Sequence, residues 1–152
     1  MKNNAVRLVL AVATLILGAA GEELLPKVLE VGFPILLAAV VCFAVRFPVA
    51  IAILVALGAG ASEDAISSLP FFTSVSFFLL VGTAARLTQL PYLIAPFAFP
   101  LYQVWLCLWT PDLSGSVFTR ILVSFPIGVL TVAAVATLLS HVERKAAVHE
   151  AE

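Results

Sequence analysis

The stretch PVAIAILVALGAGASEDAISSLPFF, residues 48–72, decides how this chain folds. It starts with an uncharged apolar run, passes through the acids Glu63 and Asp64, and enters a second apolar segment after Pro70. Apolar runs that recur along a chain between short polar turns favour membrane helices over soluble core helices. The stretch therefore predicts two apolar helices joined by a short acidic turn.

The same pattern fills the rest of the chain. Of its 152 residues, 62% are hydrophobic and 11% are charged, whereas a soluble domain is about 25% charged. Continuous apolar runs, rather than short alternating strands, indicate helices and not a barrel. We therefore predict an all-α membrane protein, a polytopic bundle of six transmembrane helices with short loops in one integral membrane domain, 1–152. The predicted spans are 5–21, 29–46, 48–63, 70–87, 90–109 and 117–142.

Charges in the gaps alternate in sign, which predicts a topology. One side of the membrane receives the basic residues Lys2, Arg7, Arg46, Arg86, Arg144 and Lys145. The other side receives Glu22, Glu23, Glu30, Glu63, Asp64 and Asp112, with Lys27 and Arg120. Because short cytoplasmic loops are enriched in Lys and Arg, we expect a multi-pass protein with both termini in the cytoplasm.

The first segment has a competing interpretation. Lys2 and Arg7, an apolar run, and small residues at 18–20 are typical of a cleaved secretory signal. The segment that follows is not a mature soluble domain, and removal of residues 1–20 would leave an odd number of spans. We therefore interpret it as the first span.

Small residues predict how the helices pack. Ala52, Ala56 and Gly60 recur at every fourth position of the third span, with Gly58 beside them. Membrane helices associate through close backbone approach at small residues, so this stripe predicts a central helix. Aromatic residues toward the ends of the fifth span (Tyr92, Tyr102, Trp105 and Trp109) are typical of interfacial anchors.

Motifs for catalysis and cofactor binding are missing from the sequence. The only histidines, His141 and His149, lie at the predicted cytoplasmic end, and no Gly-rich phosphate loop or zinc-protease motif occurs. Cys42 and Cys107 lie in apolar segments and are interpreted as buried hydrophobes. A net charge of −1 provides no basic footprint for nucleic acid. We expect no enzyme activity, metal or cofactor.

One polar cluster, residues 62–70, has two interpretations. In the first, Glu63 and Asp64 are solvated loop acids that help to set the topology. In the second, Asp64 folds back to accept hydrogen bonds from free backbone N–H groups at the start of the next helix, where anions are favoured, or it faces a partner.

The run from Gly58 to Phe71, with its glycines, acids, serines and leucine-proline pair, resembles a segment of MreD. MreD is the small integral membrane component of the bacterial cell-elongation machinery. The resemblance implies a non-enzymatic scaffold in the inner membrane that binds an MreC-like bitopic protein and, through it, the elongation complex. The motif positions are Gly58, Gly60, Glu63, Asp64, Ser67 and Pro70. Phe71 and Phe72 depart from the family, which usually has glycine near there.

Another small six-helix architecture remains open as an alternative. Substrate-binding S components of energy-coupling-factor vitamin transporters are similar in size, and that interpretation predicts a ligand pocket near the outer face. A generic assembly protein is a third possibility. In the scaffold interpretation, Arg46, Arg86, Arg144 and Lys145 contact a partner or anionic lipid; otherwise they only set the topology.

Overall fold

The computed structural model describes residues 4–25, 33–70, 72–109 and 117–149. These residues form six α-helices and no strand, which confirms the all-helical prediction. The helices are α1 (Asn4–Leu24), α2 (Ile35–Arg46), α3 (Val49–Ile66), α4 (Thr73–Thr88), α5 (Pro91–Trp109) and α6 (Val117–His149).

Four helices are long and apolar enough to cross a membrane, by length and composition: Ala5–Leu24, Val49–Ile66, Pro91–Trp109 and Phe118–Lys145. Helices α2 and α4 are apolar but shorter. The predicted span 29–46 shrinks to 12 helical residues after Pro34, a length of about 18 Å against about 30 Å of hydrocarbon. Residues 29–32 of that span lie outside the described residues.

Helix α2 is the centre of the bundle. It contacts α1, α3, α4, α5 and α6, and its residues Leu36–Ala44 are all buried. Helix α3 contacts only α1, α2 and α4 within the described part of the chain, and it leaves Ile53 and Leu54 exposed. The prediction that α3 is the central helix is therefore wrong. Because α2 has no polar face, it can pack against neighbouring helices on every side.

The helices alternate in direction through the bundle. At one end, which we call the acidic end, Glu22 of α1 contacts the start of α2 and Asp64 of α3 contacts the start of α4. At the opposite, basic end, Arg86 of α4 contacts the end of α2, and Glu143 of α6 pairs with Arg46. Among the described residues, Glu22 and Asp64 lie at the acidic end and Arg46 and Arg86 at the basic end, as the sequence predicted, but the acid Glu143 also lies at the basic end. Lys2, Lys27, Glu30 and Asp112 lie outside the described residues.

Two pairs of helices meet closely at glycines. A Cβ placed on Gly60 would lie 2.5 Å from the Cα of Val75, so the backbones of α3 and α4 approach each other there. A Cβ on Gly128 of α6 would overlap the ring of Phe99 in α5. Gly58 faces α1 instead, where its nearest neighbour is the flexible end of Leu15. Gly60 and Gly58 therefore serve different interfaces.

Candidate functional site

Asp64 forms the centre of a polar corner between α3 and α4, which we call the acidic corner. Its side chain is only 3% exposed, and its Oδ1 accepts a hydrogen bond of 2.7 Å from the backbone N–H of Ser74. The first N–H groups of a helix have no partner within the helix, so Asp64 supplies a cap from ten positions upstream. This is the fold-back contact proposed for Asp64, and the solvated-loop interpretation is wrong for this residue.

The other carboxylate oxygen of Asp64 has a different environment. Oδ2 is buried, and no hydrogen-bond partner for it exists among the described residues. Burial of a polar atom without a partner costs free energy. The corner therefore combines one satisfied and one unsatisfied oxygen on the same side chain.

The turn between the two helices is tight and internally bonded. Ser67 donates its backbone N–H to the carbonyl of Glu63 (2.9 Å) and its hydroxyl to Oε1 of Glu63 (3.1 Å). Ser68 (φ 52°) and Phe72 (φ 76°) both adopt the left-handed conformation, which costs a non-glycine residue roughly 1–2 kcal/mol. Exposed Pro70 lies between them, before the start of α4. The corner holds both residues in this conformation.

Helix α5 is fastened to the same corner. The Tyr102 hydroxyl and Ser74 Oγ share a hydrogen bond of 2.7 Å, and the indole N–H of Trp105 donates to the carbonyl of Thr73 (2.9 Å). The ring of Phe77 lies 5.1 Å from Tyr102 and 5.9 Å from Trp105. The first turn of α4 is thus bonded to both α3 and α5.

Tyr102 corrects the prediction of an interfacial anchor. It is only 4% exposed and belongs to the core, whereas Tyr92 and Trp109 remain half exposed at the two ends of α5. Because a buried Tyr usually bonds its hydroxyl to a partner, the hydrogen bond to Ser74 accounts for its position. A period that places Tyr102 beside buried Ala95, Ala98 and Phe99 was the available sequence signal.

Glu22 is a site residue that sequence reasoning missed. The predicted span 5–21 places Glu22 in the gap that follows, but α1 continues to Leu24. Oε1 of Glu22 accepts a hydrogen bond of 2.7 Å from the backbone N–H of Leu36, at the start of α2. Pro34 is the signal in the sequence, since a helix that begins after it has first N–H groups that need an acceptor.

The basic end is built differently. Nη1 of Arg86 donates to the carbonyls of Ala44 (3.0 Å) and Phe47 (2.8 Å), at the end of α2. A cation is favoured at a helix C-terminus, where carbonyls lack partners. Arg46 pairs with Glu143 across 3.7 Å at the surface. Arg144 and Lys145 are exposed on α6.

An apolar groove lies between α3 and α4 toward the basic end. Its cavity volume is about 190 Å³. The small residues Ala52 and Ala56, which the sequence assigned to helix packing, line its floor, whereas Gly60 lies beyond it against Val75. Exposed Ile53 and Thr83 lie along its sides, so the groove opens on the outer surface of the bundle.

The predicted site residues therefore separate into two places. Gly60, Glu63, Asp64 and Ser67 lie together at the acidic corner, whereas Arg46 and Arg86 lie at the opposite end. Within the described ranges, no three His, Cys, Asp or Glu side chains converge as a metal-binding group. Comparisons of the chain with protein-family models, curated proteins and solved structures found no match.

Proposed function

We propose that this chain is a non-enzymatic integral membrane scaffold of the MreD type, in the bacterial inner membrane. In this proposal all six helices traverse the bilayer and both termini are cytoplasmic. The alternating helix directions support that topology, as does the position of Glu22 and Asp64 at the end opposite Arg46 and Arg86. Helices α2 and α4 can be shorter than the hydrocarbon thickness, because the bilayer can thin locally around short segments.

The observation that carries the proposal is the construction of the acidic corner. In the segment that resembles MreD, Oδ1 of Asp64 joins α3 to the start of α4, and Ser67 bonds Glu63 within the turn. Gly60 brings the backbones of α3 and α4 together. A motif whose residues hold two helices of the bundle together favours a structural role, as in a scaffold, over a catalytic one.

In this proposal the outer face of α1 receives the partner span. Within the described residues this helix contacts only α2 and α3, so it lies at the edge of the bundle. Its outer face exposes large apolar side chains, including Val9, Ile16 and Leu17. Helices associate in lipid by packing rather than by the hydrophobic effect, so a bitopic MreC-like partner is proposed to pack its single span against this face.

Copurification tests the proposal. A tagged copy of the chain, expressed in its own cells, is expected to retain a single-span protein of the elongation machinery. Ile16→Trp, on the exposed face of α1, should abolish that retention. Leu80→Trp is the matched control, because Leu80 is equally exposed on α4. If the tagged wild-type chain retains no single-span protein, or if Ile16→Trp and Leu80→Trp lose that protein equally, the proposed surface is contradicted.

Asp64→Ala provides a second test of the scaffold. Loss of the cap on α4 should weaken partner assembly or cell shape while membrane insertion continues. Full support of wild-type shape by this variant would remove Asp64 from the functional residues. Insertion is checked by membrane fractionation of both proteins.

One observation favours a second function. Oδ2 of Asp64 is buried and unpartnered among the described residues, and Asp64 caps Ser74, whose hydroxyl bonds Tyr102. A substrate-binding S component of a vitamin transporter would use such a polar group at the outer face. A vitamin retained through purification, identified by mass spectrometry, would support this function over the scaffold. A bitopic partner without a retained vitamin would support the scaffold.

A further inference from the structure

The groove between α3 and α4 combines an apolar channel with a fixed cation. Apolar and small side chains from both helices form its walls, and Arg86 lies at one end. Two backbone carbonyls hold Nη1 of Arg86 in place. The guanidinium is therefore held in position before any ligand binds.

Part of this guanidinium remains available. The two bonds to Ala44 and Phe47 use Nη1 alone, and within the described chain the N–H groups of Nη2 and Nε have no acceptor. Arg86 is only half-buried, so an acceptor can reach it from outside. Arginine presents its N–H groups in a planar fork that matches phosphate oxygens.

The surroundings select the charge of the occupant. Arg46, Arg144 and Lys145 are exposed at the same end of the bundle, and Glu143 is engaged with Arg46. The groove mouth also borders Val49, at the N-terminus of α3, whose helix dipole is positive, while the carbonyls at the end of α2 are already bonded to Arg86. An occupant with an apolar tail fits the channel, and a net negative head group fits the positive charge at its end. A zwitterionic head group would instead bring a second cation to this end.

We propose that the groove binds one acyl chain of an anionic glycerophospholipid, whose phosphate accepts hydrogen bonds from Nη2 and Nε of Arg86. The acyl chain would lie along Ala52, Ala56 and Gly82. This site does not depend on the scaffold role, because the groove lies on α3 and α4, away from the partner face proposed on α1.

Native mass spectrometry of the full chain tests the site. The probes are palmitoyl-oleoyl phosphatidylglycerol and phosphatidylcholine, offered separately in detergent. The wild-type protein should retain one phosphatidylglycerol molecule in preference to phosphatidylcholine. Arg86→Gln should lower the affinity for phosphatidylglycerol about tenfold or more, the size expected for lost hydrogen bonds to a charged group. Arg144→Gln, at the same end but away from the groove, should lower it less than about twofold.

A groove-filling variant keeps the test independent of the fold of Arg86→Gln. Thr83→Leu adds bulk to an exposed wall residue and should displace the lipid. Thr137→Leu is its control, because Thr137 is also exposed and also bonds only its own helix. Equal retention of both lipids by the wild type, or no loss with Thr83→Leu, overturns the proposal. So does release of a copurifying protein by Thr83→Leu, since the groove would then be a protein interface.

Discussion

The two ends of the bundle use charge in opposite ways. At the acidic end, Asp64 is buried and Glu22 reaches inward, and each accepts a hydrogen bond from the start of a neighbouring helix. At the basic end, Arg86 is half-buried on carbonyls, whereas Arg46 remains at the surface. Glu22 and Asp64 thus cap helix starts from inside the bundle, whereas Arg46 faces outward.

This difference follows from helix chemistry and side-chain length. A short carboxylate must come close to the N–H groups that it caps, which draws it into the bundle. A long basic side chain can keep its charge near water while its stem covers apolar surface. We therefore expect substitutions at the acidic end to cost more stability than substitutions at the basic end. The following experiments test that comparison by unfolding each variant in detergent.

Gly60→Ala should have the largest effect. The new Cβ would lie 2.5 Å from Cα and 2.7 Å from the backbone N of Val75, and overpacking against backbone costs about 3 kcal/mol. Gly58→Ala is the matched control. Its Cβ would meet only the end of Leu15 at 2.8 Å, so helix propensity should offset the contact by about 1 kcal/mol. Equal unfolding free energies for the two variants would contradict a close approach of α3 and α4.

Asp64→Ala should be next. It removes the acceptor for the N–H of Ser74, and loss of a hydrogen bond to a charged group costs about 2 kcal/mol. Asp64→Asn keeps an acceptor oxygen and should recover most of that stability. Glu23→Ala, at an exposed position of α1, is expected to leave the unfolding free energy unchanged. If Asp64→Ala behaves like Glu23→Ala, the corner does not stabilise the bundle.

Tyr102→Phe should cost about 1 kcal/mol, because it removes one hydrogen bond and keeps the ring. Combination with Ser74→Ala should be less than additive, since both changes remove the same bond. Tyr92→Phe provides the control at an exposed position of the same helix. Full additivity in the double-mutant cycle would show that the two hydroxyls are not coupled.

Arg46→Gln should have the smallest effect, about 0.5 kcal/mol, because surface ion pairs contribute little and are screened by salt. The cost should fall further at high salt, and Glu143→Gln should match it. A loss as large as that of Asp64→Ala would break the comparison between the two ends, since it would make the basic end equally important for stability.

Much of the acidic corner could be predicted from local sequence. Asp64 stands just before the end of an apolar run and ten positions before the N–H that it caps, so the fold-back was a short-range inference. Glu22 could not be found in the same way. Its acceptor role depends on where α2 begins, and the predicted start at residue 29 placed the N–H of Leu36 inside the helix.

The groove and the two glycine contacts were beyond sequence reasoning. A repeat of small residues at Ala52, Ala56 and Gly60 indicates a packing stripe but does not name the neighbour. In the fold, Gly60 meets the backbone of α4, whereas Ala52 and Ala56 line an open groove. One stripe therefore serves two purposes, because the two helices diverge along their length.

The sequence alone determined that the chain is helical and apolar and that Glu22 and Asp64 lie at the end opposite Arg46 and Arg86. These properties follow from composition and from the order of charges along the chain, which are local and additive. Only the tertiary structure decided that α2 is central, that Glu22 and Tyr102 face inward, and that Arg86 lies at the end of a groove. Such features depend on which helix faces which, and this choice is made by packing among all the helices together.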